Sequence, residues 1–270
     1  MKLHNRELRD FSSGLFVTKS NEQRKMMSMI QYESTLLGRT EVAEETMAFQ
    51  FEKATGFVFK AGQYIDLTLS SSRPQLGSSD NMTHTFSITS SPFDEDLVVT
   101  TRMRNTVFKR AMSTMPIGSQ VKIEGPMGSF TLHNNTAKPA VLLAGGIGIA
   151  PFLSMLTSAN KEKRHHPIVL FYANRYLEDA AFIDALWKLE GANPRFRFVP
   201  TLTRADKNYR GWKGETGRID SEMLLTNVGM LRGPIFYIAG PPAMVAATGR
   251  TLGESGVDED DIRTEEFPGY

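Results

Sequence analysis

AVLLAGGIGIAPFLSML, residues 140–156, is an apolar run that breaks at three glycines and resumes as a helical pattern. The first five residues show no polar alternation, which is the pattern of a strand buried on both faces, as in a parallel sheet covered by helices. Gly145, Gly146 and Gly148 allow a sharp turn and a close approach of backbone to a ligand. Pro151 suits the first turn of a helix, where its missing N–H has no partner to lose. The start of that helix offers unpaired N–H groups and the positive end of the helix dipole, a seat for a diphosphate. The third glycine of the common G-x-G-x-x-G fingerprint is replaced by Pro151. From this stretch alone, a tight strand-to-helix turn without a ligand stays open.

Outward from it, residues 168–174 (IVLFYAN), 196–203 (FRFVPTLT) and 235–241 (IFYIAGP) repeat the apolar-run pattern. Helical patterns lie between and after them, near 150–159, 179–190 and 242–254. Such alternation predicts a doubly wound α/β parallel-sheet domain. Upstream the texture differs: 32–38 (YESTLLG), 46–52 (TMAFQFE), 63–69 (QYIDLTL), 84–90 (HTFSITS), 97–102 (LVVTTR) and 120–125 (QVKIEG) are short alternating runs between turn residues. They predict a small antiparallel β-barrel, interrupted by one helix around 106–113 and by a polar loop, 70–83, long enough to carry function. NNTAKP, 134–139, is the expected boundary. The expected organisation is an N-terminal extension over 1–30, a barrel over 31–135 and an α/β domain over 136–270.

A chain of 270 residues suits two domains. Its formal net charge of +1 gives no global attraction to nucleic acid or to an anionic membrane, so a phosphate site must be built locally. With no cysteine, the chain holds no disulfide, thiolate nucleophile or cysteine-ligated cluster. The charged opening MKLHNRELRD and the lack of a long apolar run predict cytoplasmic residence. No metal site is expected: His165 and His166 form a charged loop before Pro167 without partners at ligand spacing. Ser154 and Ser158 lack a nucleophile elbow, so acyl chemistry is not expected.

HTFSITSSP (84–92) and GPMGSF (125–130) precede GGIGIAPF, and LFYANRYLEDAAF, YIAGPPAMV and EEFPGY follow in order. Together they make residues 32–270 resemble the ferredoxin–NADP reductase superfamily, whose flavin motif reads R-x-[YF]-S. The resemblance implies a flavin-binding antiparallel barrel followed by an NAD(P)-binding α/β domain. It also implies FAD, with FMN less favoured, NADPH or NADH as hydride donor, and an acceptor such as ferredoxin, flavodoxin, an oxygenase component, free flavin or ferric iron.

By the same resemblance Phe86 lies beside the flavin and Ser87 near its N5, while Ile88, Thr89 and Ser90 offer donors to its pyrimidine end. His84, followed by Thr85, stands where the family has an arginine on the flavin diphosphate; a neutral imidazole gives no permanent charge. Arg102, Thr106, Arg104, Lys109 and Arg110 are then candidates to complete that subsite, although Asn105 and Phe108 replace the family's small residues. If His84 carries the charge, flavin affinity falls between pH 6 and 8. Gly145, Gly146, Gly148 and Pro151 would receive the dinucleotide, with Asn174, Arg175, Thr203 and Arg204 near its ribose and Lys207, Arg210 and Lys213 as further cations. That basic group modestly favours NADPH. Gly240 and Pro241 match the turn that closes on the nicotinamide, with Ala239 where many members place a cysteine. Phe267 or Tyr270 would cover the flavin as a gate, and Glu266 or Glu265 would relay a proton. A cofactor-binding redox sensor without turnover, or a flavin-free scaffold, are the alternatives.

Overall fold

The structure, a computed structural model, describes residues 30–69, 82–204 and 211–268. The extension 1–29, loop positions 70–81, Lys207, Arg210 and Tyr270 lie outside the described residues. Residues Gln31–Tyr270 form one compact unit. Among the described residues no helix is long and apolar enough to cross a membrane.

Six strands make the first sheet: β1 (Gln31–Ala43), β2 (Thr46–Glu52), β3 (Tyr64–Leu69), β4 (Thr83–Ser87), β5 (Asp96–Arg102) and β6 (Gln120–Met127). Their order is β4-β3-β6-β1-β2-β5, all pairs are antiparallel, and an Ile88–Val99 bridge joins the two ends into a barrel. Alternation sends Leu36, Phe49, Phe51, Ile65, Leu67 and Val121 inward to one core. Helix α1 (Val107–Thr114) adds Phe108 and Met112 to it. Thr106 caps its first turn by accepting the Lys109 N–H, and Arg39 donates to the carbonyls of Met112 and Met115 at the other end, where a cation suits the dipole.

The second sheet has the order β10-β9-β8-β7-β11-β12 and is parallel throughout. Its strands are β7 (Ala140–Gly145), β8 (Ile168–Asn174), β9 (Phe196–Leu202), β10 (Glu215–Thr216), β11 (Ile235–Gly240) and β12 (Ile262–Glu266). The helices are α2 (Ile149–Lys161), α3 (Ile183–Ala192), α4 (Ser221–Val228) and α5 (Pro242–Glu254). Ala140, Leu142 and Ala144 pack with α2 and α3, whereas Val141 and Leu143 pack with α4 and α5. Both faces of β7 are therefore covered, which is why its sequence shows no polar alternation. The chain runs outward from β7 through β8 and β9 and then returns to β11 on the other side. That reversal opens a crevice at the carboxyl ends of β7 and β11.

Three local expectations change. Strand β4 stops at Ser87, because the N–H groups of Ile88 and Thr89 turn to the carbonyls of Gln63 and Val98. Helix α3 starts at Ile183, after a left-handed Phe182 (φ 62°) and a 3-10 turn over Leu177–Asp179. The terminal stretch, for which no strand is expected, forms the edge strand β12, which takes in Glu265 and Glu266 of EEFPGY.

His166 is buried at 1% exposure and is not part of a charged surface loop; neither ring nitrogen has a hydrogen-bond partner. Its ring meets His133 edge-on at 4.8 Å. Burial, then the charge of His133, lowers its pKa; burial also lowers that of His133, although the Lys138 carbonyl opposes the shift. A histidine whose folded pKa lies below its unfolded value contributes stability that is full above the unfolded pKa of 6.5 and is lost as pH falls below it. Thermal unfolding is expected to move to lower temperature from pH 6.5 downward, and His166→Phe to flatten that dependence. A slope unchanged in the variant would contradict this origin.

Candidate functional site

The crevice is built by glycines. Gly145 ends β7, and Gly146, at φ 52°, opens a 3-10 turn into α2. A Cβ on Gly148 would lie 2.1 Å from the Ala239 carbonyl oxygen, so only glycine lets α2 begin against the end of β11. A Cβ on Gly240 would come within 3.2 Å of the Gly145 backbone. Gly148 and Pro151 are buried in this packing, and the Gly145–Gly146 backbone faces the open side.

That side is a cavity of about 680 Å³. Gly145, Gly146, Asn174, Arg175, Thr203 and Pro241 line it, joined by Arg102, Arg104, Asp179, Arg218 and Asp220. Asn174 is buried and its side-chain oxygen accepts no hydrogen bond, an orphan acceptor that fits a donor group of a ligand. Thr203 donates to the Asn174 carbonyl from both its N–H (2.8 Å) and its hydroxyl (3.2 Å). Arg175 and Arg218 are exposed at the cavity with no carboxylate partner among the described residues. Arg204 and Lys213 are exposed but do not line the cavity. No motif in the sequence singled out Arg218; it enters because the segment before α4 folds back beside β9.

On the barrel side, Phe86 points into the core at 7% exposure, its ring 5.8 Å from Phe108. Thr85, on the outer face, donates its hydroxyl to Asp66. The N–H groups of Ile88, Thr89 and Ser90 are taken by Gln63 and Val98 carbonyls, and the Ser90 hydroxyl accepts the Val98 N–H at 2.9 Å. Of the expected pyrimidine donors, the buried Thr89 hydroxyl is without a partner, and the Ser90 hydroxyl, which only accepts here, keeps its proton to donate. Ser154, on α2, donates to the Ser90 carbonyl at 2.6 Å and ties the barrel to the second sheet.

His84 packs on Phe108 with ring centroids 4.4 Å apart, and burial, then the charge of Lys109, lowers its pKa. Both effects favour the neutral imidazole in the ligand-free protein, so a charge on His84 would have to be drawn out by a bound diphosphate. Arg102 is held by Asp179 (3.2 Å) and Glu45 (3.4 Å) and opens onto the glycine cavity, not onto the α1 terminus. Arg110 donates to the Asn105 carbonyl at 3.1 Å. Lys109 donates to the Arg102 carbonyl at 2.6 Å, and burial, then Arg104, lowers its pKa. Among the described residues neither Lys109 nor Arg104 has a carboxylate partner; Lys109 lies near the start of α1, where Thr106 is the cap, and Arg104 also lines the glycine cavity.

Strand β12 closes the site. Arg263, Glu265 and Phe267 share one face by the two-residue period, and Glu265 pairs with Ala239 of β11. Burial pushes the Glu265 carboxyl up to about 7, opposed by the Ser87 hydroxyl, and one of its oxygens has no partner. Glu266 lies on the opposite face, exposed, so of the two acidic candidates the structure brings Glu265 to Ser87 and leaves Glu266 in water. Phe267, half-buried, donates its N–H to the Gly240 carbonyl at 3.0 Å and packs against the α2-side core.

An antiparallel barrel joined to a parallel sheet, with a glycine-lined crevice at the strand reversal, defines a two-domain coenzyme-binding oxidoreductase fold. Residues 31–150 match the FAD-binding domain family and residues 142–250 the oxidoreductase NAD-binding domain family. The chain belongs to the ferredoxin–NADP reductase superfamily. It is 27% identical over 213 residues to the propane 2-monooxygenase reductase component of Mycolicibacterium smegmatis, covering 78% of this chain and 60% of that protein. Over 238 residues it is 25% identical to the toluate 1,2-dioxygenase electron transfer component of Pseudomonas putida, 87% of this chain and 67% of the relative. The fold matches a ferredoxin NADP+ reductase from Neisseria gonorrhoeae, solved with bound FAD and NADP, at a TM-score of 0.74 and 23% identity over 87% and 98% of the two chains.

Proposed function

We propose that the protein is an NAD(P)H-dependent flavoprotein reductase that passes electrons to an oxygenase component or to a ferredoxin- or flavodoxin-type acceptor. The observation that carries this reading is the half-buried Glu265, set opposite Ala239 at the end of β11 with its carboxyl beside Ser87 of the barrel. FAD, when bound, supplies a ring that accepts hydride and releases electrons singly or in pairs. The chain's residues do the rest. Gly145, Gly146 and the start of α2 receive a dinucleotide diphosphate, and Asn174 accepts a ligand hydroxyl or amide. Lys109, Arg104 and the α1 terminus would hold the flavin's phosphates, with His84 beside them. Ser87 and Glu265 hold a proton at the hydride-accepting edge, and Phe267 excludes water. The change from antiparallel to parallel strands between Met127 and Ala140 supports a barrel over 31–135 and a nucleotide domain over 136–270. Cytoplasmic residence belongs to the same reading.

The names of the relatives, reductase and electron-transfer components of oxygenases, favour an oxygenase component as acceptor. Steady-state assay of the FAD-loaded protein with ferricyanide tests turnover independently of the natural acceptor. Rapid reduction supports the reading, and none with either donor overturns it in favour of a redox sensor. The unpaired Arg175 and Arg218 favour NADPH, because charge-assisted bonds to a 2′-phosphate have no competing carboxylate. Arg218→Gln is expected to lower kcat/KM for NADPH by about tenfold, equivalent to one such bond, and to leave NADH within about twofold. Equal losses for both donors would place Arg218 elsewhere.

A further inference from the structure

The reading of Glu265 as the proton-holding group leaves open what keeps it there. Strand β12 is five residues long, lies at the sheet edge and is backbone-paired on one side only, to β11. A slip of one residue would turn Glu265 outward and bring Glu266 in. Short edge strands fray easily, so the side chains that pin them set their register.

Arg263 lies two residues before Glu265 and on the same face. One of its terminal guanidinium nitrogens donates to the Thr131 carbonyl at 2.9 Å and to the Tyr237 hydroxyl at 3.1 Å, and the group lies 5.2 Å from the Tyr237 ring centroid. No carboxylate pairs with it among the described residues. Tyr237 is fully buried, stands directly opposite Arg263 in the ladder, and is itself fixed. The His133 N–H donates to its hydroxyl at 2.8 Å, and His133 Nδ1 lies 3.0 Å from the same oxygen. His133 Nε2 reaches the Lys138 carbonyl at 3.0 Å, which requires the proton on Nε2 and leaves Nδ1 to accept from tyrosine. Thr131, His133 and Lys138 all lie on the segment that joins the two sheets. We propose that Arg263 is a positioning residue: through Tyr237 and this connecting segment it locks β12 in the register that sets Glu265 against Ser87.

This inference rests on the proposed role of Glu265 and deepens it. The titratable and charged groups facing the network are Tyr237, His133, His166, Arg164, Lys138 with its partner Asp261, and Arg263 itself, while Ser87 is the group that faces Glu265. The test is a carboxyl-carbon NMR titration of the full chain labelled at glutamate, with Glu265→Gln assigning the resonance. Arg263→Gln is expected to lower the Glu265 midpoint from about 7 toward the ordinary value of 4.5, by at least about one pH unit, as the loosened strand admits water. Arg263→Lys, which keeps a donor and the charge, is expected to hold it near the parent value. A midpoint unmoved in Arg263→Gln overturns the proposal. Should that variant unfold, Tyr237→Phe removes the hydroxyl that links Arg263 to His133 and keeps the ring; a downward shift supports the anchor and an unchanged midpoint overturns it. A parent midpoint in the ordinary carboxylate range would instead remove the reading of Glu265, and the anchor's purpose with it.

Discussion

Glu265→Gln is expected to slow reduction of the FAD-loaded protein by NADPH by about 10²-fold, the lower end of what a positioned acid–base group contributes. The parent rate should bend near pH 7, where the carboxyl changes charge, and the variant rate should be flat there. Gln keeps the shape and a hydrogen bond to Ser87 but cannot exchange a proton. Stability should move the other way. A carboxyl whose folded pKa of about 7 exceeds its ordinary 4.5 binds more protons folded than unfolded between those values, so stability falls as pH rises through that window. Removing the charge should make the variant the more stable protein at pH 8, by on the order of 1–2 kcal/mol after allowance for its partial exposure. A variant that keeps the parent's bend near pH 7 would assign that bend to another group. Stopped-flow reduction and thermal unfolding across pH 5–9 measure both effects.

The second large effect is expected at Gly148. The Cβ of Gly148→Ala would meet the Ala239 oxygen at 2.1 Å, its carbonyl carbon at 2.5 Å and the Gly240 nitrogen at 2.8 Å. All three are backbone atoms that no rotamer change can move, so the start of α2 must lift off β11. Overpacking of this kind costs about 1–3 kcal/mol, or roughly 2–9 °C in Tm for a chain of this size. The displaced helix terminus should also lose the dinucleotide, with Kd for NADP+ raised about 10²-fold or more. Gly249→Ala is the control: it lies within α5 with nothing within 4 Å of the added methyl, and should stabilise by about 0.5–1 kcal/mol. Parent-like nucleotide affinity in Gly148→Ala would contradict the close-packed crevice. Calorimetry and nucleotide titration read both variants.

The double-sided burial of Val141, Leu142 and Leu143 was legible because a run without alternation suits a covered parallel strand, and the glycine turn after it announced the crevice. The alternating runs before residue 130 likewise carried the barrel. What stayed hidden was set by register or by distant packing. The choice between Glu265 and Glu266 depends on which face of β12 meets the barrel, and a single strand parity is invisible without its ladder to β11. Strand β12 itself has a charged sequence, IRTEE, and gains its place from that ladder, not from apolar pattern. Phe86 was matched by motif to a place beside the flavin, while its packing on Phe108 in the barrel core follows from the pairing of β4 with β3 and was not legible. His166 looked like surface because its neighbours are charged; the turn before β8 folds it under His133. Arg102 was a candidate for the flavin phosphates by resemblance; its pairing with Asp179, 77 residues away, beside the glycine cavity could not be read from sequence.

The central claim is that two coenzymes meet between the barrel and the parallel sheet, so that hydride passes from one to the other. Anaerobic titration of the FAD-loaded protein with NADPH, followed by its visible spectrum, tests it most directly. The account predicts prompt bleaching of the flavin band on addition of one equivalent, with NADH acting at higher concentration. A band that persists in excess of both donors would contradict it.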